Sequence, residues 1–235
     1  KKEILKMSNN VAMMGKYRVV DLTKFIDPAT ETRRCKLRRF NTGGPIPDFH
    51  TDVDITTHLG THCECPYHHD DNWPDASSLP ISSFMGRGIY VKITGLAPRA
   101  YLTPEVLDKF VGPKCKPGDV LILDSDYRIP AFTSLTNTDV DKRLLVNGST
   151  AQWMVDHQIK SVGFGEGVSI ENSNEDIKPL HDICLANNIT FLEVLQNLDE
   201  LQSEVFFVSF APMRIKGLDS CPVRVYAIEG IADFS

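Results

Sequence analysis

The run Val120-Leu121-Ile122-Leu123 is the feature that most constrains the fold of this chain. It follows the turn 116–119, is too short and too β-branched for a helix, and is apolar enough for a buried strand. A helix is predicted to begin at Thr103-Pro104 and another at Ser149, while 88–93 and 161–165 have the β-branched or apolar character of strands. This alternation of strands and helices predicts an α/β architecture.

Further elements complete the predicted domain. Strands are expected at 17–22, 189–192, 205–210 and 223–228, and a helix at 182–188. Residues 27–48 are rich in proline, glycine and charge without periodic apolar positions, which predicts a flap or an irregular loop. No repeat, heptad pattern or low-complexity linker divides the chain, so the sequence predicts one domain over 1–235.

Composition excludes several classes of function. The chain has 235 residues, 42% of them hydrophobic, a net charge of −6 and a pI near 5.6. A nucleic-acid partner is not expected, because the only basic cluster, 33–39, is short; it is interpreted first as a solvated loop and second as an anion-attracting rim. No run of about 18 apolar residues is present, so no segment is expected to span a membrane.

Cysteine usage and the N-terminal residues bear on location. Six cysteines are scattered along a chain too long to need disulfide staples. Residues 1–10 lack the apolar core and small-residue cleavage site of a signal peptide. The expected location is therefore the cytoplasm.

Residues 58–69 contain four of the seven histidines and a glutamate, a density typical of metal ligands. Gly60, Pro66 and the preceding threonine pair disfavour a helix, so an extended segment is predicted. Successive side chains of a strand point to opposite faces. One face would then carry the three ligands of a catalytic-type metal site, His58, His62 and Glu64, and the other face Cys63 and Cys65.

Two other interpretations of this segment remain open. His62, Cys63, Cys65 and His68 could close a structural four-ligand zinc site, although alternation would turn the two sulfurs away from His62. The segment could also be a polar loop whose histidines only hydrogen-bond one another. A cysteine–histidine nucleophile is a weaker enzymatic alternative, because nothing beside either thiol favours a thiolate.

The stretch His-Leu-Gly-Thr-His-Cys-Glu-Cys-Pro-Tyr-His resembles the His-x-Gly-Thr-His-x-Asp-x-Pro-x-His signature of the cyclase-like metal hydrolases, the family of bacterial kynurenine formamidase and isatin hydrolase. Residues 20–23, 116–120, 162–164 and 222–224 fit the same family in order. The resemblance implies a compact α/β domain with a mixed, partly barrel-like sheet flanked by helices. It also implies a homo-oligomer, a dimer or tetramer, with one or two divalent cations per subunit, Mn²⁺ or Zn²⁺.

The resemblance also implies roles for individual residues. It makes His58, His62 and Glu64 metal ligands and His68 the acid/base group. His181 and Glu193 match the family's twelve-residue spacing and would hold a second cation or orient the water of the first; taken alone, His181 is interpreted as a helix-start residue and Glu193 as solvated. Two departures are Glu64, where the family usually has aspartate, and His69, where a phenylalanine often stands.

These residues support hydrolysis of an amide, formamide or lactam C–N bond in a small molecule by metal-activated water. His68 would move the proton, while His69 shares that work or is a bystander. Trp73 would stack on an aromatic substrate or pack within the protein. Cys63 and Cys65 are expected to be buried small hydrophobes. The rival functions are a metal-dependent cyclase or dehydratase acting on a carbonyl substrate, and a non-catalytic protein that uses zinc structurally.

Overall fold

Fourteen strands and three α-helices are present in the residues that the computed structural model describes, which are 10–46, 48–129, 140–170 and 173–234. The strands are β1 Val11–Met14, β2 Tyr17–Asp21, β3 Cys35–Asn41, β4 Phe49–Ile55, β5 His62–Glu64, β6 Met85–Ile93, β7 Val120–Ser125, β8 Leu144–Leu145, β9 Ser161–Phe164, β10 Val168–Ser169, β11 Thr190–Glu193, β12 Val205–Ser209, β13 Ser220–Pro222 and β14 Tyr226–Glu229. The helices are α1 Pro104–Phe110, α2 Gly148–Asp156 and α3 Asn174–Ala186.

Ten of these strands form one mixed sheet, in the order β1-β2-β14-β12-β6-β7-β9-β11-β5-β13. The central strands β6, β7, β9 and β11 are parallel, and the strands on both sides pair antiparallel. Parallel strands need crossover connections, and helices supply them here. The predicted α/β domain with a mixed sheet is confirmed.

The central strand β7 is buried on both faces. Leu121 and Leu123 pack in the outer core between the sheet and the helices. Val120 and Ile122 point the other way, into an inner core with Phe206. Burial on both faces explains why the run 120–123 is continuously apolar instead of alternating with polar residues.

The sheet curls so that its β13 end approaches the β2 and β14 side. Strand β13 lies at one end of the strand order and β14 near the other, yet only residues 223–225 join them. Within this link the Val223 amide donates to the Thr61 carbonyl at 3.0 Å, and the Leu22 amide donates to the Val225 carbonyl at 2.9 Å. The link therefore connects the β5 side to the β2 side, which agrees with the partly barrel-like sheet that the resemblance implied.

The starts of helices α1 and α3 show where a local sequence pattern predicts a helix correctly and where it does not. Helix α1 begins as predicted, with Pro104 first and the Thr103 side chain accepting from the Val106 amide. Helix α3 begins at Asn174, eight residues before the predicted start at 182, with the Ser173 side chain as its N-cap. The prediction failed because Pro179 lies inside the helix, and proline ordinarily breaks a helical pattern.

Three other predictions about the chain path need correction. The irregular-loop interpretation of 27–48 is wrong for 35–41, which form β3 and pair with β4 in an antiparallel hairpin. The extended ligand segment is reduced to β5, and the final strand begins at Tyr226 instead of 223 because the link occupies 223–225. Residues 1–9, where no signal peptide is predicted, lie outside the described residues. Across the residues that are described, no helix has the length and apolar character needed to cross a membrane.

Candidate metal centre

Strand β5 carries ligands on one face and thiols on the other. It lies between β11 and β13, with His62 opposite Glu193 and Glu64 opposite Phe191. Directly paired residues point to the same face, and the Phe191 ring contacts His181 of α3 at 4.7 Å between centroids. Cys63 and Cys65 point into the inner core and are fully buried, which confirms the expectation that they are buried small residues.

Gly60 bends the chain so that His58 folds back over β5. Its φ of +58° lies in the left-handed region, and a Cβ there would come within 2.4 Å of Ile26 Cδ1, so glycine is strongly favoured. The Gly60 carbonyl accepts a hydrogen bond from His62 Nδ1 at 2.8 Å. His58 thus reaches the ligand face through this bend, and not by alternation along a strand.

A short 3₁₀ turn places His68 on the same side. Pro66 begins the turn, and the His68 amide donates to the Cys65 carbonyl at 2.9 Å. Proline suits the first helical position because no amide hydrogen is needed there. Pro66 therefore ends β5 and turns His68 back toward Glu64.

The Glu64 carboxylate is the centre of the cluster, with four imidazoles around it. Its Oε1 lies 2.8 Å from His58 Nδ1, 3.5 Å from His62 Nε2 and 3.9 Å from His68 Nε2. Its Oε2 lies 3.4 Å from His181 Nε2. Only 3% of Glu64 is exposed, so this carboxylate depends on those rings instead of on water.

The second half of the chain supplies two more of these groups. Glu193, at the end of β11, brings Oε2 to 3.4 Å from His62 Nε2. His181 is the eighth residue of α3 and not a helix-start residue, and its Nδ1 donates to the Ile177 carbonyl at 2.8 Å. The structure therefore brings both residues to Glu64 and His62, and Glu193 is largely shielded from solvent instead of being a solvated residue.

The pKa values of these residues follow from the close packing of carboxylates and imidazoles. Burial alone would raise the pKa of Glu64, but contacts with His181, His58 and His62 hold that pKa well below its usual value. Burial alone would lower the pKa of His58, but hydrogen bonds with Glu64 and Asp219 raise it to about 9. Burial does lower the pKa of His68. The cluster is thus built around an ionised carboxylate that needs positive charge beside it.

Two buried atoms in the centre have no hydrogen-bond partner among the described residues, His62 Nε2 and Glu64 Oε2. A carbonyl only accepts, so His62 Nδ1 carries the ring proton that it donates to Gly60. In neutral His62 the lone pair of Nε2 then faces the carboxylates of Glu64 and Glu193, so either a proton on Nε2 or a cation between these groups satisfies them. The donor set of imidazoles and carboxylates fits a divalent metal ion.

Within the residues that the structure describes, two groups of donors are close enough to hold an ion, and both include Glu64. One is His58, Glu64 and His68, and the other is His62, Glu64 and Glu193; within each, the ligand atoms lie within 4.8 Å of one another. Neither group contains a cysteine. The sulfurs of Cys63 and Cys65 face the inner core, so the structural zinc site formed with His62 and His68 does not form.

Asp219, which the sequence reasoning missed, holds two histidines of the centre. Its Oδ2 lies 2.9 Å from His58 Nε2 and 3.3 Å from His68 Nδ1. Because a carboxylate accepts, this bond places the ring proton of His68 on Nδ1 and leaves Nε2 directed at Glu64. Asp219 lies 161 residues from His58 in a turn before β13, and no local pattern marks it.

His69 lies at the rim of the centre, and Trp73 lies four residues further along the chain. His69 stacks on His181 with 4.9 Å between ring centroids, and its Nδ1 contacts Asp182 Oδ1 at 2.8 Å. Asp182 also pairs with Lys178 and was likewise missed. Trp73 is half-buried in the turn just after His69, where its amide donates to the Asp70 carbonyl at 3.0 Å. The catalytic role of His69 and the substrate-stacking role of Trp73 stay predictions.

Comparison with known proteins finds a matching family model and several similar proteins. The family model Cyclase, described as "Putative cyclase", matches residues 20–171, more than half of the chain. Cyclase-like protein 2 of Arabidopsis thaliana is 28% identical over 187 residues, covering 76% of this chain and 65% of that protein. Kynurenine formamidase of Salinibacter ruber is 26% identical over 172 residues, covering 72% of this chain and 75% of that protein. The chain thus spans about two thirds of the plant relative's length.

A solved structure supports the fold independently. Isatin hydrolase A from Labrenzia aggregata, bound to benzyl benzoate, superposes with a TM-score of 0.69 over 90% of this chain and 93% of that one. The sequences are 19% identical, so this likeness concerns the fold.

Proposed function

This chain belongs to the Cyclase family, and on that premise we propose that it is a metal-dependent hydrolase that cleaves an amide, formamide or lactam C–N bond in a small molecule. The observation that carries the proposal is the buried Glu64 carboxylate with four imidazoles around it. Within it, His62 Nε2 and Glu64 Oε2 have no hydrogen-bond partner among the described residues. The similarity to a kynurenine formamidase supports the same reaction class.

In this proposal His58, His62 and Glu64 hold the metal, and His181 and Glu193 hold a second ion or position groups around the first. A bound divalent cation lowers the pKa of coordinated water and polarises a carbonyl group. Mn²⁺ and Zn²⁺ both suit the imidazole and carboxylate donors present. The hydrogen bond from His62 Nδ1 to Gly60 keeps Nε2 directed into the centre.

His68 is proposed to move the proton. Its Nδ1–H is held by Asp219, so Nε2 is the atom that receives a proton from the attacking water. As water adds to the carbonyl carbon and the C–N bond breaks, the same atom returns the proton to the leaving nitrogen. His69 is proposed to assist, and Trp73 to stack on an aromatic part of the substrate.

The setting proposed for this enzyme is the cytoplasm, as a homo-oligomeric dimer or tetramer. All six cysteines are free thiols. Free thiols persist in reducing compartments, whereas secreted proteins tend to pair them.

The test is elemental analysis of protein purified without chelator, followed by turnover assays on formamides, lactams and cyclic imides in ¹⁸O-labelled water. Hydrolysis is expected to install one solvent oxygen in the acid product. A product without solvent oxygen would assign the centre to cyclase or dehydratase chemistry. A metal whose removal unfolds the chain, with no turnover of any substrate, would instead mark a structural site.

Glu193→Gln and His181→Ala are expected to show whether the second half of the chain serves the same centre. If two ions bind, each change should lower the stoichiometry from two toward one. If one binds, the metal should stay while turnover falls by about 10–100-fold, the usual effect of groups that orient ligands. The controls are Glu204→Gln and His157→Ala, which remove the same groups elsewhere on the chain. Unchanged metal content and turnover in both test variants would exclude them from the site.

A further inference from the structure

Val194 has a backbone conformation that a β-branched residue rarely adopts. Its φ is +57°, in the left-handed region, and it is the only β-branched residue among the described non-glycine residues with a positive φ. The side chain crowds the backbone in this region, so the conformation costs free energy and persists only where other contacts hold it. Burial of the side chain does not supply that hold, because Val194 is 40% exposed.

The turn at Val194 ends the pairing of β11 with β5. Glu193 is the last residue of β11 and lies opposite His62. One residue beyond Val194, Leu195 forms an antiparallel bridge with Thr23, just after β2. The chain thus changes its pairing partner between Glu193 and Leu195. The conformation of Val194 therefore decides where the strand stops and, with it, where the Glu193 carboxylate lies.

Thr61 contacts this turn through its hydroxyl group. In the antiparallel register of β5 and β11, Thr61 is the next residue to face Val194. The Thr61 hydroxyl donates to the Val194 carbonyl at 2.7 Å and accepts from the Lys24 amide at 2.8 Å. The Val223 amide donates to the Thr61 carbonyl at 3.0 Å. Four segments of the chain therefore meet at Thr61, and since this residue is only 1% exposed, water does not substitute for these bonds.

We propose that Thr61 is a positioning residue of the metal centre. Its hydroxyl holds Val194 in the left-handed region and thereby keeps the Glu193 carboxylate beside His62, where Oε2 lies 3.4 Å from Nε2. This role rests on the metal-dependent function proposed above, because Glu193 is there a group of the centre. Residues that orient ligands without touching the ion are a regular part of metal sites.

The first experiment measures the dissociation constant of Zn²⁺ for the full chain, by competition with a chromogenic chelator. Thr61→Val keeps the shape of the side chain but lacks the hydroxyl. It is expected to raise the dissociation constant of the ion bound beside Glu193 by about 10–100-fold. Thr61→Ser keeps the hydroxyl and should bind Zn²⁺ as the wild type does. Thr61→Ala provides a second variant without a hydroxyl and should weaken binding in the same way.

Thr150→Val is the matched control. Thr150 is also fully buried, and its hydroxyl donates to the Leu102 carbonyl at 2.9 Å and accepts from the Asn147 amide at 3.1 Å, but it lies on α2. Circular dichroism should show a loss of stability in this variant, while its affinity for Zn²⁺ stays unchanged.

A double variant, Thr61→Val with Val194→Gly, tests the conformational step itself. Glycine adopts the left-handed region without the cost that valine bears, so the backbone depends less on the missing hydroxyl. The double variant should therefore recover part of the affinity that Thr61→Val alone loses. A double variant that recovers none would contradict the role given to Val194.

Crystal structures of the metal-free wild type and Thr61→Val separate this inference from the proposed function. In the variant, Val194 is expected to leave the left-handed region and Glu193 Oε2 to move away from His62 Nε2. An unchanged Val194 and Glu193, wild-type affinity in Thr61→Val, or an equal loss of affinity in Thr150→Val would each overturn the proposal. A wild type that binds no metal ion would contradict the proposed function, and the two crystal structures would still decide the role of Thr61.

Discussion

His62→Ala is expected to abolish metal binding and to lower turnover by more than ~100-fold, since even residues that only orient ligands matter by about 10–100-fold. His62 Nε2 lies between Glu64 and Glu193, and the described part of the chain offers it no hydrogen-bond partner, so its loss leaves two carboxylates facing each other with one nitrogen donor fewer. The fold should persist, because His62 belongs to neither hydrophobic core. Metal analysis and circular dichroism would measure both effects.

The comparison for His62→Ala is His157→Ala, which removes a histidine stacked on Trp153 far along the chain and should keep full metal content. His62→Gln serves as a second variant that preserves bulk and polarity at the buried position. Full metal occupancy in both His62 variants would mean that this residue is not a ligand, and the argument built on β5 would fail.

His68→Ala is expected to keep its metal and to lose about 10²–10⁴ in kcat, the usual contribution of a general acid/base. Asp219 orients the ring so that Nε2 faces the centre, yet this atom is the most distant of the three imidazole nitrogens around Glu64 Oε1, at 3.9 Å. His68 is therefore expected to act on protons and not to bind the ion. Metal content and steady-state kinetics on the same preparation would separate the two roles.

Because His68 also belongs to one of the two groups that could hold an ion, the contrary outcome is well defined. Loss of metal in proportion to loss of activity would make His68 a ligand. Asp219→Asn offers an independent comparison, since it weakens the hold on His58 and His68 without removing either ring.

Local patterns predicted much of the fold because the relevant energies are local. The buried strand β7 and the cap of α1 follow from a few consecutive residues. The start of α3 could not be predicted from a few consecutive residues. Pro179 lowers the stability of the helix by itself, and packing of the helix against the rest of the protein offsets that loss. The hairpin β3–β4 was missed for a related reason, since its charged and turn-forming residues hide the alternation that pairing imposes.

The residues of the candidate centre also differ in whether a local sequence pattern could predict them. The residues of 58–68 could be predicted because one bend and one turn bring them together. His181 and Glu193 needed the family resemblance, because neither residue type is informative alone. Asp219 had no signal at all: its place beside His58 exists only because β13 pairs with β5, a contact between residues more than 150 positions apart.

The alternation of ligands and thiols along β5 also affects which metal ions the chain can bind before and after it folds. In an open chain, residues 62–65 offer two thiols, and thiolates attract soft ions more strongly than carboxylates do. A one-residue shift of β5 would exchange its two faces. Pairing with β11 and β13 fixes Glu64 opposite Phe191 on one side and Ser220 on the other, which seals Cys63 in the inner core. A chain that folds before it binds a metal ion therefore presents only imidazole and carboxylate ligands to that ion. The order of folding and metal binding thus influences which metal ion the centre takes up.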